Sequence, residues 1–268
     1  MTELGLSQDQ LDMTFETAQE REGVYKPLEK QLSRENKAHL LDLMEQIHQP
    51  KLCALQEAIA KGLRDRGFTQ VTTPSIISKT FLERMSIDSS HPLNEQVFWL
   101  SNKTCLRPML APNLYEVSRQ LLKLGKTPVR VFEIGSCFRK ETEGNAHLKE
   151  FTMVNLVEWG LPEEERVSRL KEYAALLMEL AQVEDYHLEE EDSVVYGLGL
   201  DIVGSNGLEL ASSSMGPHPL DDLWEIDSSW VGIGSGLERL LMYRERQQGI
   251  HRYAKSTAFL DGARLNVK

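Results

Sequence analysis

Long apolar runs are missing from this sequence of 268 residues, and no segment is long enough to cross a lipid bilayer. The first residues, MTELGLSQDQLDMTF, also lack the basic and apolar segments of a secretory signal peptide. Cysteine is scarce, and Cys53, Cys105 and Cys137 lack the spacing of metal ligands, which indicates neither a disulfide framework nor a zinc site. We therefore expect a cytoplasmic protein with reduced thiols and no membrane partner.

Two common nucleotide-binding loops are absent as well. No G-x-x-x-x-G-K-[ST] segment occurs, which excludes a P-loop. The segment GIGSGLER, residues 232–239, has its third glycine one residue too early for the dinucleotide-binding pattern. It predicts a glycine-rich strand followed by a helix that begins near Leu237. Arg239 in the first turn opposes the helix dipole, so it is either solvated at a packing junction or held there for a ligand.

Positive charge is in deficit, because 30 basic residues face 41 acidic ones and give a formal net charge of −11. A dispersed basic coat is excluded, but local basic patches can still contact nucleic-acid phosphates. Two clusters are candidates for such contacts, and a solvated charged face is the alternative for both. They comprise Arg119, Lys123, Lys126 and Arg130, and then Arg244, Arg246, Arg252 and Lys255.

No repeat or linker divides the chain. Residues 1–49 predict a helical N-terminal region, and residues 50–268 predict one further domain. In that domain, we expect helices at 50–66, 112–124 and from Pro162 onward, and strands at 68–73, 129–134, 193–196, 200–203 and 208–212. The strands cluster instead of alternating with helices, which predicts an α+β fold with an antiparallel β-sheet flanked by helices. A doubly wound parallel sheet is the alternative.

The segment SCFRKETEGNAHLKEFTM, residues 136–153, places two cations after an apolar run and then returns to another alternating run. If the two runs pair as strands, Arg139 and Glu141 project from one face. Phe151, Met153 and Asn155 then share a face on the returning strand. Such a hairpin offers a guanidinium, a carboxylate, an aromatic ring and an amide to a ligand. A salt-bridged polar surface is the alternative.

Three segments in order resemble the motifs of class II aminoacyl-tRNA synthetases: GFTQVTTP at 67–74, FRKE at 138–141 and GIGSGLER at 232–239. Within this class the chain is most similar to the pyrrolysyl-tRNA synthetase family. That similarity is carried by LRPMLAPNLY at 106–115, EFTMVN at 150–155 and LELAS at 208–212. The resemblance implies a class II catalytic core with a helical N-terminal appendage that could contact tRNA. It is strongest to the bacterial catalytic half, whose tRNA-binding N-terminal domain is a separate polypeptide.

The resemblance also implies a reaction and its partners. Such an enzyme activates pyrrolysine with ATP and Mg²⁺ to an aminoacyl-adenylate, and transfers it to the 3′ end of the cognate tRNA. A homodimer and a separately encoded N-terminal tRNA-binding domain protein are further implied partners. Two alternatives stay open: a class II synthetase for another amino acid such as phenylalanine, and a catalytically inactive synthetase-like tRNA-binding protein.

The motif positions imply which residues bind ATP. Arg139, Glu209 and Arg239 would be catalytic, with Arg139 between the α-phosphate and the substrate carboxylate. Glu209 and Ser212 would hold Mg²⁺. Among the others, Glu141 would contact the adenine amino group, Phe151 and Arg239 would enclose the adenine ring, and His147 would reach the outer phosphates. The full implied ATP-binding set is Arg139, Lys140, Glu141, His147, Phe151, Glu209, Leu210, Ser212 and Arg239.

The same comparison implies an amino-acid pocket with one polar contact in an apolar tunnel. Asn155 would bind the amide carbonyl of the substrate side chain, and Tyr196 would cap the tunnel. A strand residue satisfied by the neighbouring backbone is the alternative for Asn155. Two departures from the family pattern are Ser118, which we expect to widen the pocket, and Ser235, which we expect to loosen packing under the adenine. The implied pocket comprises Ala111, Leu114, Tyr115, Asn155, Val157, Tyr196, Trp230 and Gly232.

Overall fold

The computed structural model describes residues 13–46, 48–140, 147–193, 197–247 and 249–265. Its helices are α1 (Ala18–Glu45), α2 (Lys51–Asp65), α3 (Lys79–Glu83), α4 (Pro92–Glu95), α5 (Ala111–Leu122), α6 (Arg166–Ala181), α7 (Pro219–Leu223) and α8 (Leu237–Arg244). Its strands are β1 (Thr69–Gln70), β2 (Ile76–Ser78), β3 (Thr104–Leu106), β4 (Val129–Phe138), β5 (Glu150–Trp159), β6 (Tyr186–Ser193), β7 (Gly197–Gly204), β8 (Glu209–Gly216), β9 (Trp230–Gly236), β10 (Phe259–Leu260) and β11 (Ala263–Arg264).

A seven-stranded sheet in the order β1-β4-β5-β9-β8-β7-β6 forms the centre of the molecule. All neighbouring strands pair antiparallel, apart from the short parallel pair of β1 with β4. The turn after β7 contains Gly207 with a φ of 78°, a conformation that glycine adopts without a steric cost. The predicted α+β fold is confirmed, and the alternative of a doubly wound parallel sheet is wrong because every strand pair except β1 with β4 is antiparallel.

The two faces of the sheet carry separate apolar cores. On one face, α2, α6 and α8 cover a core in which Val154 and Leu156 of β5 take part. On the other face, α3 and α5 cover a smaller core that includes Val157 and Trp159 of the same strand. Alternate β5 residues therefore point to opposite faces, as strand geometry requires. The candidate site lies on the face of the smaller core.

The N-terminal helix α1 lies on the surface and is tied to the C-terminal part of the chain through Asn36. A capping box between Thr17 and Glu20 begins it, and none of its residues is buried. Asn36 fastens it to the C-terminal strand β11, because its amide donates to the Arg264 carbonyl (2.7 Å) and its oxygen accepts from the Arg264 N–H (2.7 Å). A helix is therefore present where the sequence predicts one. The division of the chain at residue 50 stays a prediction.

Two elements differ from the sequence-based expectation, and residues 194–196 of the strand expected at 193–196 lie outside the described residues. The strand expected at 68–73 is reduced to β1, because Phe68 is buried in the larger core and Thr73 hydrogen-bonds to Glu133 instead of continuing the sheet. The acids after Pro162 form a 3₁₀ turn, Glu163–Glu165, and the α-helix begins only at Arg166. Within the described part of the chain, we find no helix with the length and apolar character needed to cross a membrane.

Candidate active site

Two adjacent cavities open on the face of the smaller core. The larger, of about 250 Å³, is called the aromatic cavity because Tyr115, Trp159 and Trp230 line it. The smaller, of about 150 Å³, is called the arginine cavity because Arg139 and Arg239 line it. Four residues line both cavities and thus mark the place where they meet: Arg139, Met153, Ser212 and Gly234.

The aromatic cavity collects the residues that the sequence predicts for the amino-acid pocket. Its walls come from α5, β5, β8 and β9. Of the predicted set, the residues that line it are Ala111, Leu114, Tyr115, Asn155, Val157, Trp230 and Gly232. Tyr196 lies outside the described residues. Sequence reasoning did not identify Leu93, Met109 and Trp159, whose side chains complete the apolar wall.

Glycines in β9 explain why this face of the sheet is open. Asn155 of β5 lies directly opposite Gly234 in the strand pairing. A Cβ atom at Gly234 would lie 2.8 Å from the Met153 methyl carbon and 3.1 Å from Asn155 Nδ2. A side chain there would therefore push against two residues of the cavity wall. The absence of a side chain at Gly234, in the glycine-rich strand predicted from the sequence, leaves the space beside Asn155 open.

The arginine cavity collects the predicted ATP-binding residues. Those that line it are Arg139, His147, Phe151, Glu209, Leu210, Ser212 and Arg239. Lys140 does not line it, and its ammonium group lies 5.9 Å from the centre of the Phe98 ring. Glu141 lies outside the described residues. The structure thus brings together the described members of the predicted set, except for Lys140.

Arg139 occupies the junction because β4 ends one residue before it. Its side-chain Nε donates to the Pro108 carbonyl (2.9 Å), and its guanidinium carbon lies 5.4 Å from the centre of the Phe151 ring. Its backbone N–H still donates to the Lys149 carbonyl (3.0 Å), so the hairpin geometry extends past the strand end. The side chain is therefore held by both its backbone and its Nε.

The positive charge of Arg239 is compensated by Glu209, the first residue of β8. Its Nη1 donates to the Glu209 carbonyl (3.0 Å) and lies 3.7 Å from Glu209 Oε1. This acceptor offsets the unfavourable position of a cation in the first turn of α8. Both side chains keep part of their surface exposed toward the cavity, at 24% for Arg239 and 52% for Glu209.

Glu238 precedes Arg239 and is buried below the arginine cavity. Both of its carboxylate oxygens accept from the Thr152 N–H, at 2.8 and 2.9 Å. Burial raises the pKa of Glu238 from 4.5 to about 7, although the hydrogen bonds from the backbone act in the opposite direction. No local sequence pattern distinguishes this glutamate from its neighbours.

A buried ion pair supports the segment that holds Arg139. Arg107 Nη1 lies 2.8 Å from Glu133 Oε1, and both side chains are almost fully buried. Arg107 also donates to the Ser136 carbonyl (2.8 Å) and the Thr73 hydroxyl (2.9 Å), while Thr73 donates to Glu133 Oε2 (2.6 Å). The backbone of Arg107 then accepts from the Phe138 N–H (2.9 Å), directly before Arg139. Sequence reasoning missed this pair, although Arg107 stands within the quoted LRPMLAPNLY segment.

The two departures from the family pattern have different environments. Ser118 is fully buried in α5 and does not line either cavity, so the expectation that it widens the pocket finds no support. Ser235 is also buried, and its hydroxyl donates to the Leu210 carbonyl (2.7 Å). That bond ties β9 to β8 in the wall of the arginine cavity, which Ser235 lines, so its buried hydroxyl is satisfied by the backbone.

Most cations in the two predicted phosphate-contacting clusters are already paired with acids. In the first cluster Arg119 pairs with Glu116 and Glu225. Arg130, in the same cluster, pairs with the buried Glu158. In the second cluster the pairs are Arg244 with Glu245, Arg246 with Asp185 and Lys255 with Glu150. These contacts favour the alternative of a charged face neutralised within the protein.

The donor set suits one particular kind of metal. Among the described residues, no group of three or more His, Cys, Asp or Glu side chains could by itself hold a metal ion. Glu209 and Ser212 offer a carboxylate and a hydroxyl in the arginine cavity. Mg²⁺ is usually bound by one or two carboxylates together with substrate phosphates and water. The residues present therefore fit Mg²⁺ that arrives with a nucleotide, and not a permanently bound transition metal.

Comparisons with known proteins agree with this geometry. Residues 44–199, more than half of the chain, match the family model "Phenylalanyl tRNA synthetase beta chain CLM domain". Threonine–tRNA ligases of Acinetobacter baylyi and Halorhodospira halophila are 34% and 31% identical over 100 and 99 residues. In each case the match covers 35% of this chain but only 15% of the relative.

Two solved structures of pyrrolysyl-tRNA synthetase from Desulfitobacterium hafniense match along nearly the whole chain. One has a TM-score of 0.92 and 50% identity, and covers 100% of this chain and 95% of the other. The second, PylSc, has a TM-score of 0.91 and 49% identity, and covers 99% of this chain and 92% of the other. The chain therefore belongs to the aminoacyl-tRNA synthetase family represented by the phenylalanyl-tRNA synthetase beta chain CLM domain and, within it, to the pyrrolysyl-tRNA synthetases.

Proposed function

We propose that this chain activates pyrrolysine with ATP and transfers it to the 3′ end of its cognate tRNA. The observation that carries the proposal is the meeting of the two cavities at Arg139. An apolar cavity with one side-chain amide fits an amino-acid side chain, and a cavity with two arginines fits a nucleoside triphosphate. The names of the Desulfitobacterium relatives support pyrrolysine as the amino acid.

The first chemical step requires little from the protein besides positioning. The substrate carboxylate attacks the α-phosphorus of ATP, the bond to the bridging oxygen breaks, and pyrophosphate leaves with that electron pair. Arg139 is assigned to the carboxylate and the α-phosphate, because it lines both cavities. A guanidinium aimed at the place where charge develops lowers the barrier without forming a covalent bond.

The remaining ATP contacts are assigned from the motif resemblance, and Phe151, His147 and Arg239 also line the arginine cavity. Phe151 and Arg239 are placed on the adenine ring, His147 on the outer phosphates and Glu141 on the adenine amino group. Lys140 completes the implied set, although it does not line the cavity. Glu209 and Ser212 would hold Mg²⁺, which supplies positive charge to the phosphates when it is bound.

Selection of the amino acid is assigned to Asn155 and the apolar wall around it. Asn155 lies between the Met153 and Val157 side chains on the cavity face of β5. A side-chain amide in the substrate satisfies the Asn155 amide, whereas a substrate without that group leaves a polar atom unpaired. We place Tyr196 over the end of the same pocket.

Macromolecular partners follow from the family. The proposal includes the cognate tRNA, a homodimer and a separately encoded N-terminal tRNA-binding domain protein. It also includes a division of the chain into a helical region at 1–49 with a tRNA contact and a catalytic domain at 50–268. The exposed surface of α1 suits such a contact, since none of its residues is occupied by core packing.

Activation of phenylalanine is the second candidate, because the matched family model describes a phenylalanyl-tRNA synthetase domain. Amino-acid-dependent exchange of pyrophosphate into ATP separates the candidates. We expect exchange with pyrrolysine or an Nε-carbamate lysine and none with phenylalanine. Exchange with phenylalanine alone would replace the proposal by its alternative. A protein that exchanges with no amino acid would fit the third possibility, an inactive tRNA-binding relative.

A further inference from the structure

One buried carboxylate connects two walls of the aromatic cavity. Asp221 of α7 is only 2% exposed and lines neither cavity. Its Oδ1 accepts from the Tyr115 hydroxyl (2.9 Å), and its Oδ2 accepts from the Trp230 indole N–H (2.8 Å). Oδ2 also accepts from the His218 backbone N–H (2.7 Å), which closes the capping box of α7. The buried carboxylate therefore accepts three hydrogen bonds from protein donors.

Two of these donors belong to side chains that face the cavity. Tyr115 comes from α5 and Trp230 from β9, so Asp221 joins three elements that are distant in sequence. The Tyr115 ring stacks on Trp224 at 5.3 Å and meets the edges of Trp159 and Trp230 at 5.3 and 5.9 Å. Stacked and edge-to-face contacts favour these ring orientations, whereas hydrophobic burial alone is non-directional. Hydrogen bonds to a fixed acceptor add further direction.

The backbone limits the position of Trp230 from the other side. A Cβ atom at Gly216 would lie 1.9 Å from Trp230 Nε1, so the indole edge packs directly against that glycine. The Trp230 indole is thus held between the backbone of Gly216 and the Asp221 carboxylate. Burial raises the pKa of Asp221 above its ordinary value, and the bonds from Trp230, His218 and Tyr115 act against that rise.

We infer that Asp221 is a specificity-determining positioning residue, which fixes the Tyr115 and Trp230 rings and thereby the width of the aromatic cavity. Without this acceptor the two rings turn to find other partners, and the cavity accepts amino acids of other shapes. The effect on amino-acid preference rests on the proposed function. The positions of the Tyr115 and Trp230 rings do not depend on it.

Asp221→Asn and Asp221→Ala separate a positioning effect from a loss of charge. An asparagine can accept from Trp230 and His218 with its oxygen while its amide donates to the Tyr115 oxygen, so the rings stay in place. Alanine removes all of these acceptors. Asp222→Ala, which truncates an exposed neighbour on the same helix, is the matched control.

Pyrophosphate exchange with an Nε-carbamate lysine and with phenylalanine supplies the measurement. For Asp221→Ala we expect the KM for the lysine derivative to rise about tenfold and its advantage over phenylalanine to shrink, while the KM for ATP stays unchanged. Asp221→Asn and Asp222→Ala should behave as the unmodified protein. An unaltered preference in folded Asp221→Ala overturns the inference. If that variant does not fold, Tyr115→Phe removes one bond only, and an unaltered preference there has the same consequence.

The tryptophan emission spectrum distinguishes failure of this inference from failure of the proposed function. If the unmodified protein exchanges with no amino acid, the proposed function fails. The positioning inference is then decided by emission and acrylamide quenching of Asp221→Ala against Asp222→Ala. A shifted emission or stronger quenching in the first variant supports it, and identical spectra overturn it.

Discussion

In the proposed reaction Arg139 contacts two neighbouring ligands, the amino acid and ATP. It is positioned by the Pro108 carbonyl and by the Phe151 ring, and it lines both cavities. A lysine could not reproduce this arrangement, because its ammonium group lacks the planar set of donors that a guanidinium directs to two acceptors at once. The proposed reaction therefore depends on the planar donor geometry of Arg139 and not only on its positive charge.

Arg139→Ala should abolish activation while leaving the fold intact. The expected loss in amino-acid-dependent pyrophosphate exchange is about 10²–10³-fold, as for other groups that stabilise developing charge. Circular dichroism and thermal unfolding should match those of Arg64→Ala, a control that removes an exposed arginine from α2. Near-normal exchange by Arg139→Ala would remove this residue from the mechanism.

Glu238 gives a pH-dependent contribution to stability. Its pKa is raised from 4.5 to about 7 in the folded protein, so between these values the folded state binds more protons than the unfolded state. The sign of the effect follows: the contribution is fully present below pH 4.5 and is lost as the pH rises through about 7. A shift of this size corresponds to about 3 kcal/mol.

Urea unfolding of Glu238→Gln at several pH values tests this contribution. The free energy of unfolding of the unmodified protein should fall relative to the variant between pH 4.5 and 7, because glutamine does not titrate. Glu164→Gln, at an exposed position of the 3₁₀ turn, serves as the control and should leave the pH profile unchanged. Parallel profiles for the unmodified protein and Glu238→Gln would contradict the assigned shift.

At the scale of elements, the buried pair of Arg107 and Glu133 joins the loop before α5 to β4. Gly135 makes the contact possible, since a Cβ atom there would lie 2.2 Å from Arg107 Nη2. Asn113 of α5 extends the network, because its amide donates to the Thr73 hydroxyl (2.7 Å) and the Pro74 carbonyl (2.9 Å). Four segments that converge on the Arg139 hairpin are thus held by one polar cluster.

Glu133→Ala should therefore destabilise the fold strongly. It leaves the Arg107 guanidinium buried without its carboxylate, and removal of one partner of a buried pair costs about 3–5 kcal/mol. Glu133→Gln keeps an acceptor for Thr73 and Arg107 and should cost less. Urea denaturation measures both values, with Asp65→Ala, which breaks an exposed pair with Lys61, as a control of small effect. Equal stability of Glu133→Ala and the unmodified protein would show that the network contributes nothing.

At the scale of the whole molecule, the features that could be predicted were those whose contacting residues lie close together in the sequence. The antiparallel sheet, the glycine-rich β9 and the helix that follows it have local patterns, and all were predicted. The Arg107–Glu133 pair joins residues 26 positions apart, and Asp221 joins Tyr115 across 106 positions. No local pattern marks such contacts, because several acids could pair with each donor.

The site shows the same division. The position of Arg139 at the junction was implied by motif resemblance, but the apolar wall contributed by Trp159 was not. The alternation of β5 places Trp159 on the face of Asn155 and Val157, but β5 extends to residue 159, beyond the EFTMVN segment at 150–155 that carries the resemblance. The cations expected to contact phosphates were chosen by clustering, and four of the eight are paired with acids that lie far away in sequence.

Helix α1 gives a prediction for the molecule as a whole. Because none of its residues is buried, deletion of residues 1–46 should leave the catalytic core folded and pyrophosphate exchange nearly unchanged. Transfer to tRNA should fall at the same time, if this helix contacts the nucleic acid. Exchange and aminoacylation that decline together would indicate that α1 is required for the fold instead, and Asn36→Ala, which loosens its tie to β11, would then show a smaller decline of both.

The most direct test of the central claim is the detection of the adenylate itself. The protein is mixed with Mg²⁺, ATP and either pyrrolysine or phenylalanine, and the bound product is measured by mass spectrometry. If the two cavities meet at Arg139 to join an amino acid to ATP, pyrrolysyl-adenylate should form in the unmodified protein and not in Arg139→Ala. Formation of phenylalanyl-adenylate alone, or of no adenylate in the unmodified protein, would contradict the account.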